Sequence, residues 1–156
     1  MGTPRGAMTT RDPLTLRRAN ANDADFAFGV LKETMREYAI ATWGTWWEDE
    51  SRRETVEQVS AGKTEVIEHD RVPIGVQLVD RPGQHIQLIQ LYIAKGFQRR
   101  GFGTQLLGRL FEEARESNLP VRLQVLAVSP ARIWYDRLGF LVIETMPERI
   151  FMEWRP

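Results

Sequence analysis

Apolar residues follow two spacings along this chain, and the switches between them mark its elements. Leu14 to Arg18 alternates apolar and polar residues, which predicts a first strand. From Asn22 to about Ala41 the apolar positions Phe26, Val30, Leu31, Met35 and Tyr38 recur at steps of three and four residues, the spacing of one helical face. Asn22 or Asp23 is placed to cap the start of that helix. Three tryptophans, Trp43, Trp46 and Trp47, crowd the segment that follows. Glu48 to Ala61 reads as a second, largely polar helix stopped by Gly62. Thr64 to Glu68 and Ile74 to Val79 are strands around a turn from His69 to Pro73. Ile86 to Ile93 is the next strand, apolar at both parities near its end and so expected to be buried on both faces.

The second half repeats the alternation of spacing. Phe102, Leu106, Leu107, Leu110 and Ala114 form one apolar stripe of a helix from Phe102 to Glu116. Val121 to Val128 is a nearly continuous apolar strand. Ser129 and Pro130 then open a short helix, with serine as its cap, and Gly139 closes it. Phe140 to Glu144 and Ile150 to Trp154 are the last two strands. The order predicts a mixed α/β fold in which a helix joins the fourth and fifth strands, making them parallel.

Composition narrows the picture. The 156 residues are 42% apolar and 27% charged, which is globular. Residues 1–12 are expected to be a flexible tail, and residues 13–156 a single domain with no internal repeat. Formal net charge is zero, which argues against a general nucleic-acid partner. With no cysteine, disulfides, thiolate metal sites and a cysteine nucleophile are excluded. The two histidines, His69 and His85, are scattered, so no metal is expected. No apolar run approaches the roughly 18 residues that span a bilayer, and the first residues lack a signal-peptide core. A cytoplasmic location with no membrane partner is the expectation.

Chemistry gathers at the turn between the fourth strand and the long helix. Gly96, Gly101 and Gly103 there surround the adjacent Arg99 and Arg100. A turn that opens a helix aims free amides and the positive end of the helix dipole at one spot, which favours phosphate. Glycine lets the backbone approach the ligand, and arginines add charge-assisted contacts. Gly96 and Gly101 have Walker-type spacing, yet Phe102 stands where that motif needs lysine, and the dinucleotide fingerprint is absent. A lone glycine turn is more often structural.

This turn has company. Gln98-Arg99-Arg100-Gly101-Phe102-Gly103 resembles the coenzyme A pyrophosphate loop, Q/R-x-x-G-x-G/A, of the GNAT N-acetyltransferase superfamily. Further on, Ala131, Tyr135, Gly139 and Phe140 resemble its second signature, A-x-x-x-Y-x-x-x-G-F. The resemblance covers residues 14–156 and extends to small bacterial single-domain members. It implies a mixed, mostly antiparallel sheet of six to seven strands with a splayed parallel fourth and fifth pair, flanked by about four helices. It also implies an enzyme that moves acetyl from acetyl-CoA directly to an amine, with no metal and no covalent intermediate.

The implied roles carry over residue by residue. Leu91, Tyr92 and Ile93 would pair with the pantetheine arm, as in β-augmentation, and the Ile93 amide would stabilise the oxyanion. Gln98, Arg99, Arg100, Gly101, Phe102, Gly103 and Thr104 would hold the pyrophosphate, with Ser129 and Arg132 on the far wall. Tyr135 would be the general acid, its alternative being a packed helix aromatic. The acceptor pocket would include Glu37, Tyr38, Trp43, Trp46 and Gln90; the tryptophans are equally suited to packing the core or a dimer interface. The acceptor is a small-molecule or protein amine, with a homodimer as one option. The sequence departs from the family in lacking a carboxylate on the fourth strand, where His85, Gln87 and Gln90 stand. Glu33 and Glu37 are poor substitutes, being set on a helix face. Lys95 and Ser129 replace the proline and asparagine common in the family. The missing carboxylate keeps open a rival reading, a CoA-binding or regulatory module without chemistry.

Overall fold

A computed structural model describes residues 14–156; the tail expected over residues 1–12 lies outside them. The elements are β1 (Leu14–Arg18), α1 (Ala24–Trp43), α2 (Glu48–Ser60), β2 (Glu65–His69), β3 (Val72–Asp80), β4 (Ile86–Ile93), α3 (Phe102–Ser117), β5 (Val121–Leu126), α4 (Ala131–Arg137), β6 (Leu141–Thr145) and β7 (Arg149–Trp154). The predicted order holds throughout.

Local differences have local causes. Asp23, one of the two expected residues, is the N-cap of α1 but makes no side-chain capping bond there; the capping bonds belong to Asn20, at the start of the turn before it. The Asn20 side chain accepts from the Asn22 amide at 2.9 Å, and the Asp23 carboxylate accepts from the Asn20 amide at 2.8 Å. One 3₁₀ turn, Ala21–Asp23, therefore precedes α1. β3 starts two residues earlier than its pattern predicts, because Asp70 and Arg71, with φ of 54° and 67°, complete a two-residue hairpin turn. Pro73 is tolerated because the register shifts beside it. β5 ends at Leu126, not Val128: the Ser129 amide turns back to the Leu126 carbonyl at 2.9 Å, leaving Val128 exposed.

Among the described residues one seven-stranded sheet runs in the order β1-β2-β3-β4-β5-β7-β6. Only β4 and β5 are parallel; every other neighbouring pair is antiparallel. α1 and α2 cover one face, where Ala27, Val30 and Val59 meet Val66 and Val76. α3 covers the other, with Leu107, Leu110, Phe111 and Ala114 on Ile86, Leu88, Val121 and Leu123. The predicted α3 stripe is buried in full.

β4 departs from its expected burial. Leu78 pairs with Gln90 and Val79 with Leu88, so Ile89 is an extra, bulged residue. A bulge bends a strand and interrupts pairing. Ile89 is 46% exposed, and Gln90 to Ile93 are only partly buried. β4 meets β5 only at Ile86–Val121 and Gln87–Arg122. Beyond the bulge the two strands separate.

Candidate functional site

The gap between β4 and β5 opens into a cleft of about 920 Å³. Its floor is the ends of both strands, from Leu88 to Ile93 and from Leu123 to Leu126. At one end stand the loop after β4 and the start of α3. At the other stand α1, α2 and Arg149 of β7.

The backbone of β4 presents its edge to this cleft. The Ala94 amide bonds the Ile74 carbonyl of β3 at 2.8 Å. Successive amides alternate edges along a strand, so the Ile93 amide faces away from β3, into the gap. The Ile93 carbonyl, on the same edge, accepts from Gln98 Nε2 at 2.8 Å. Gln98 thus ties the loop to the strand end. Arg99 (φ 63°) and Gly101 (φ 85°) both adopt left-handed conformations. They turn the chain sharply before α3, which leaves the first amides of the helix without intrahelical acceptors. Apart from its chain neighbours no atom lies within 4 Å of where a Cβ on Gly101 would stand, so the approach to the loop is open. Gly103 sits against Trp134 of α4, where a Cβ would come within 3.1 Å of the indole.

Tyr135 lies on α4, whose N-cap is Pro130 and not the expected Ser129; the Ser129 hydroxyl, one residue earlier, accepts from the Ala131 amide at 3.1 Å. The Tyr135 ring is buried between Trp134 and Phe140, at 4.9 and 5.4 Å between centroids, and it lines the cleft. Burial pushes its phenol well above the ordinary tyrosine range, and the nearby Tyr92 adds to the shift. Tyr92, also on the cleft, is pushed up to about 12 by burial. Both are hydrogen-bond donors at any ordinary pH.

The structure brings most of the expected residues together. Tyr38, Trp43, Trp46, Gln90, Leu91, Tyr92, Ile93, Gln98, Arg99, Gly101, Phe102, Gly103, Thr104, Ser129 and Tyr135 all line the cleft. Arg100, Arg132 and Glu37 are exposed and stand outside its lining. Arg100 instead lies over the rings of Phe97 and Phe102, at 5.6 and 5.3 Å. Glu33 is outside as well, its carboxylate 3.4 Å from the Lys95 amide. Trp43 donates to Glu148 at 3.1 Å and carries the Arg149 guanidinium 5.3 Å over its ring. Trp46 rests against Phe28 at 6.4 Å and donates to Glu48 at 3.0 Å. Each tryptophan therefore both packs the fold and faces the cleft.

Sequence reasoning missed the polar wall. Ser51, Glu54 and Gln58 of α2 line the cleft, and Gln58 accepts from Gln90 at 3.4 Å. Their i, i+3, i+7 spacing was visible, but it reads as a solvated face until β4 is seen opposite. Arg149 was hidden because only the pairing of Leu126 with Arg149 brings β7 to this end of the cleft. Among the described residues no helix is long and apolar enough to cross a membrane, and no three His, Asp or Glu side chains gather as a metal site.

Comparison with known proteins gives a consistent picture. Residues 31–140 match the acetyltransferase (GNAT) family. No curated protein matches the chain. Among solved structures, the PaiA N-acetyltransferase of Thermoplasma acidophilum in complex with coenzyme A superposes with a TM-score of 0.72 at 16% identity, over 92% of this chain and 99% of that one. An acetyltransferase of Thermus thermophilus gives 0.71 at 18% identity, over 92% and 97%. A Corynebacterium glutamicum protein described as histone acetyltransferase HPA2 and related acetyltransferase gives 0.69 at 19%, over 92% and 96%. At these identities the likeness to the solved structures is one of fold.

Proposed function

The chain belongs to the acetyltransferase (GNAT) family, and on that premise we propose that it transfers acetyl from acetyl-CoA directly to an acceptor amine. The observation that carries this reading is the separation of β4 from β5 after two paired residues, beside a left-handed glycine turn that opens α3. The residues fit coenzyme A. β4 offers an unpaired edge to an extended pantetheine arm, and the open approach at Gly101 admits a pyrophosphate. Arg99, which lines the cleft, supplies positive charge there.

The chain's own groups then divide the chemistry. Leu91, Tyr92 and Ile93 align the thioester along β4. The Ile93 amide donates to the carbonyl oxygen as charge develops on it. The amine nitrogen forms its bond to the carbonyl carbon, and the carbon–sulfur bond breaks. Tyr135 donates its proton to the departing sulfur; burial keeps that proton in place at working pH. The ammonium form of the acceptor releases one proton overall. Tyr38, Trp43, Trp46 and Gln90 wall the acceptor. The cytoplasm is the expected location.

The experiment is acetyl-CoA turnover with a panel of amines, read by thiol release and by the mass of the product. Acetylated amine with stoichiometric thiol is the expected result. Tight coenzyme A binding with no acetylated amine would favour the rival, a binding module without chemistry.

A further inference from the structure

We propose that the acceptor end of the cleft recognises an amine that also carries a carboxylate, with Glu54 taking the ammonium and Arg149 the carboxylate. This rests on the acetyl-transfer reading and deepens it to a substrate class, the amino acids.

The charges lining the cleft are sorted. Lys95 and Arg99 stand at the loop end. Glu54 is the one acidic side chain among the described lining residues, and Arg149 is the one basic side chain away from the loop. Glu54 reaches in from α2, between Ser51 and Gln58. Arg149 comes from β7, held 5.3 Å over the Trp43 ring. Of the other charges near this end, Glu48 pairs with Lys32 at 2.8 Å and Glu148 accepts a hydrogen bond from the Trp43 indole. Among the described residues neither Glu54 nor Arg149 forms a salt bridge.

Glu54 and Arg149 are both solvent-exposed and line the same cleft without pairing with each other, an arrangement that suits a ligand of complementary polarity. A simple cationic amine would meet Arg149 as a like charge. An amine with a carboxylate satisfies both, and a guanidinium takes a carboxylate in two parallel hydrogen bonds. Trp43 then provides a flat apolar surface beside the arginine for the rest of the acceptor.

The assignment also supplies the proton acceptor that β4 lacks. The ammonium passes one proton to the Glu54 carboxylate, which returns it to solvent. The free amine attacks the thioester carbon, the carbon–sulfur bond breaks, the sulfur gains a proton from Tyr135, and the second proton lost by the nitrogen restores the Tyr135 hydroxyl. The products are an N-acetyl amino acid and free thiol, with one proton released. Acetylation removes the charge that Glu54 held, so the product leaves more readily than the substrate.

The test compares L-amino acids with their carboxamides, which keep the amine and lose the carboxylate. For the amino acids used, kcat/KM should exceed that of the amide by roughly 10-fold or more, the loss expected for one charge-assisted pair. Arg149→Met should raise KM for the acid by roughly 10- to 100-fold, leave the amide and coenzyme A affinity unchanged, and be partly rescued in Arg149→Lys. Glu54→Gln should lower kcat/KM for acid and amide alike. Equal use of acid and amide by the parent, or an Arg149→Met loss shared by both, overturns the proposal. If no amine is acetylated, the transfer reading fails separately. Tryptophan fluorescence of the protein with coenzyme A, titrated with the same pairs, then decides: an acid preference lost in Arg149→Met upholds the subsite, and no preference or no binding overturns it.

Discussion

At the scale of the residue, the proposed reading gives Tyr135 and Gly101 separable tasks. Tyr135 packs against Trp134 and Phe140 through its ring and faces the cleft. Tyr135→Phe keeps that packing and deletes only the hydroxyl. It should fold normally, bind acetyl-CoA within a few-fold of the parent, and lose about 10² to 10⁴ in kcat, the usual contribution of a general acid. KM should hardly move, as for an interaction made only in the transition state. Full kcat in steady-state assays would return Tyr135 to a packing role. Gly101 is held by backbone, at φ 85° with open space around it. Gly101→Val therefore meets no clash but strains the turn and fills the approach to the loop. Calorimetry should find acetyl-CoA affinity lost while the circular dichroism of the fold is retained.

At the scale of the element, boundaries are set by caps and turns as much as by apolar spacing. The reciprocal bonds of Asn20 and Asp23 cap the 3₁₀ turn that leads into α1, and Arg17 binds the same Asp23 at 2.8 Å. Asn20→Ala should cost about 1 kcal/mol, a fall of roughly 2–4 °C in Tm for a chain of this size, with coenzyme A affinity unchanged in calorimetry. Sequence made the elements legible wherever one periodicity ran long enough, as in α3, whose whole stripe is buried. It misjudged β4 because a bulge leaves no mark in a run of apolar residues. Ile89 looks like any other strand residue until the pairing with β3 exposes the extra step. The loop and Tyr135 could be placed at the cleft from sequence because their motifs are local in it. Glu54 and Arg149 were not, since α2 and β7 meet only across the finished sheet.

At the scale of the whole molecule, burial of two phenols ties stability to alkaline pH. Below their ordinary pKa of 10.0, folded and unfolded chains both keep these protons, and stability does not depend on them. Above it the unfolded chain releases protons that Tyr92 retains up to about 12 and Tyr135 retains further still. The unfolded state then binds fewer protons than the folded one, so stability falls as pH rises. Melting temperature should therefore drop steeply from pH 10 upward, and Tyr92→Phe should flatten that drop; an unchanged slope would contradict it. The two-residue contact between β4 and β5 has a mechanical meaning too. It is a seam: β1 to β4 form one plate, β5 to β7 another, and the backbone ladder scarcely stitches them. α3 is the splint, gripping Ile67 and Ile74 of one plate through Phe102 and Leu106, and Leu123 of the other farther along. Within the sheet only the Ile86–Val121 and Gln87–Arg122 pairs tie the plates together, with the α3 splint across them, so the sheet is least stitched along the line of the cleft.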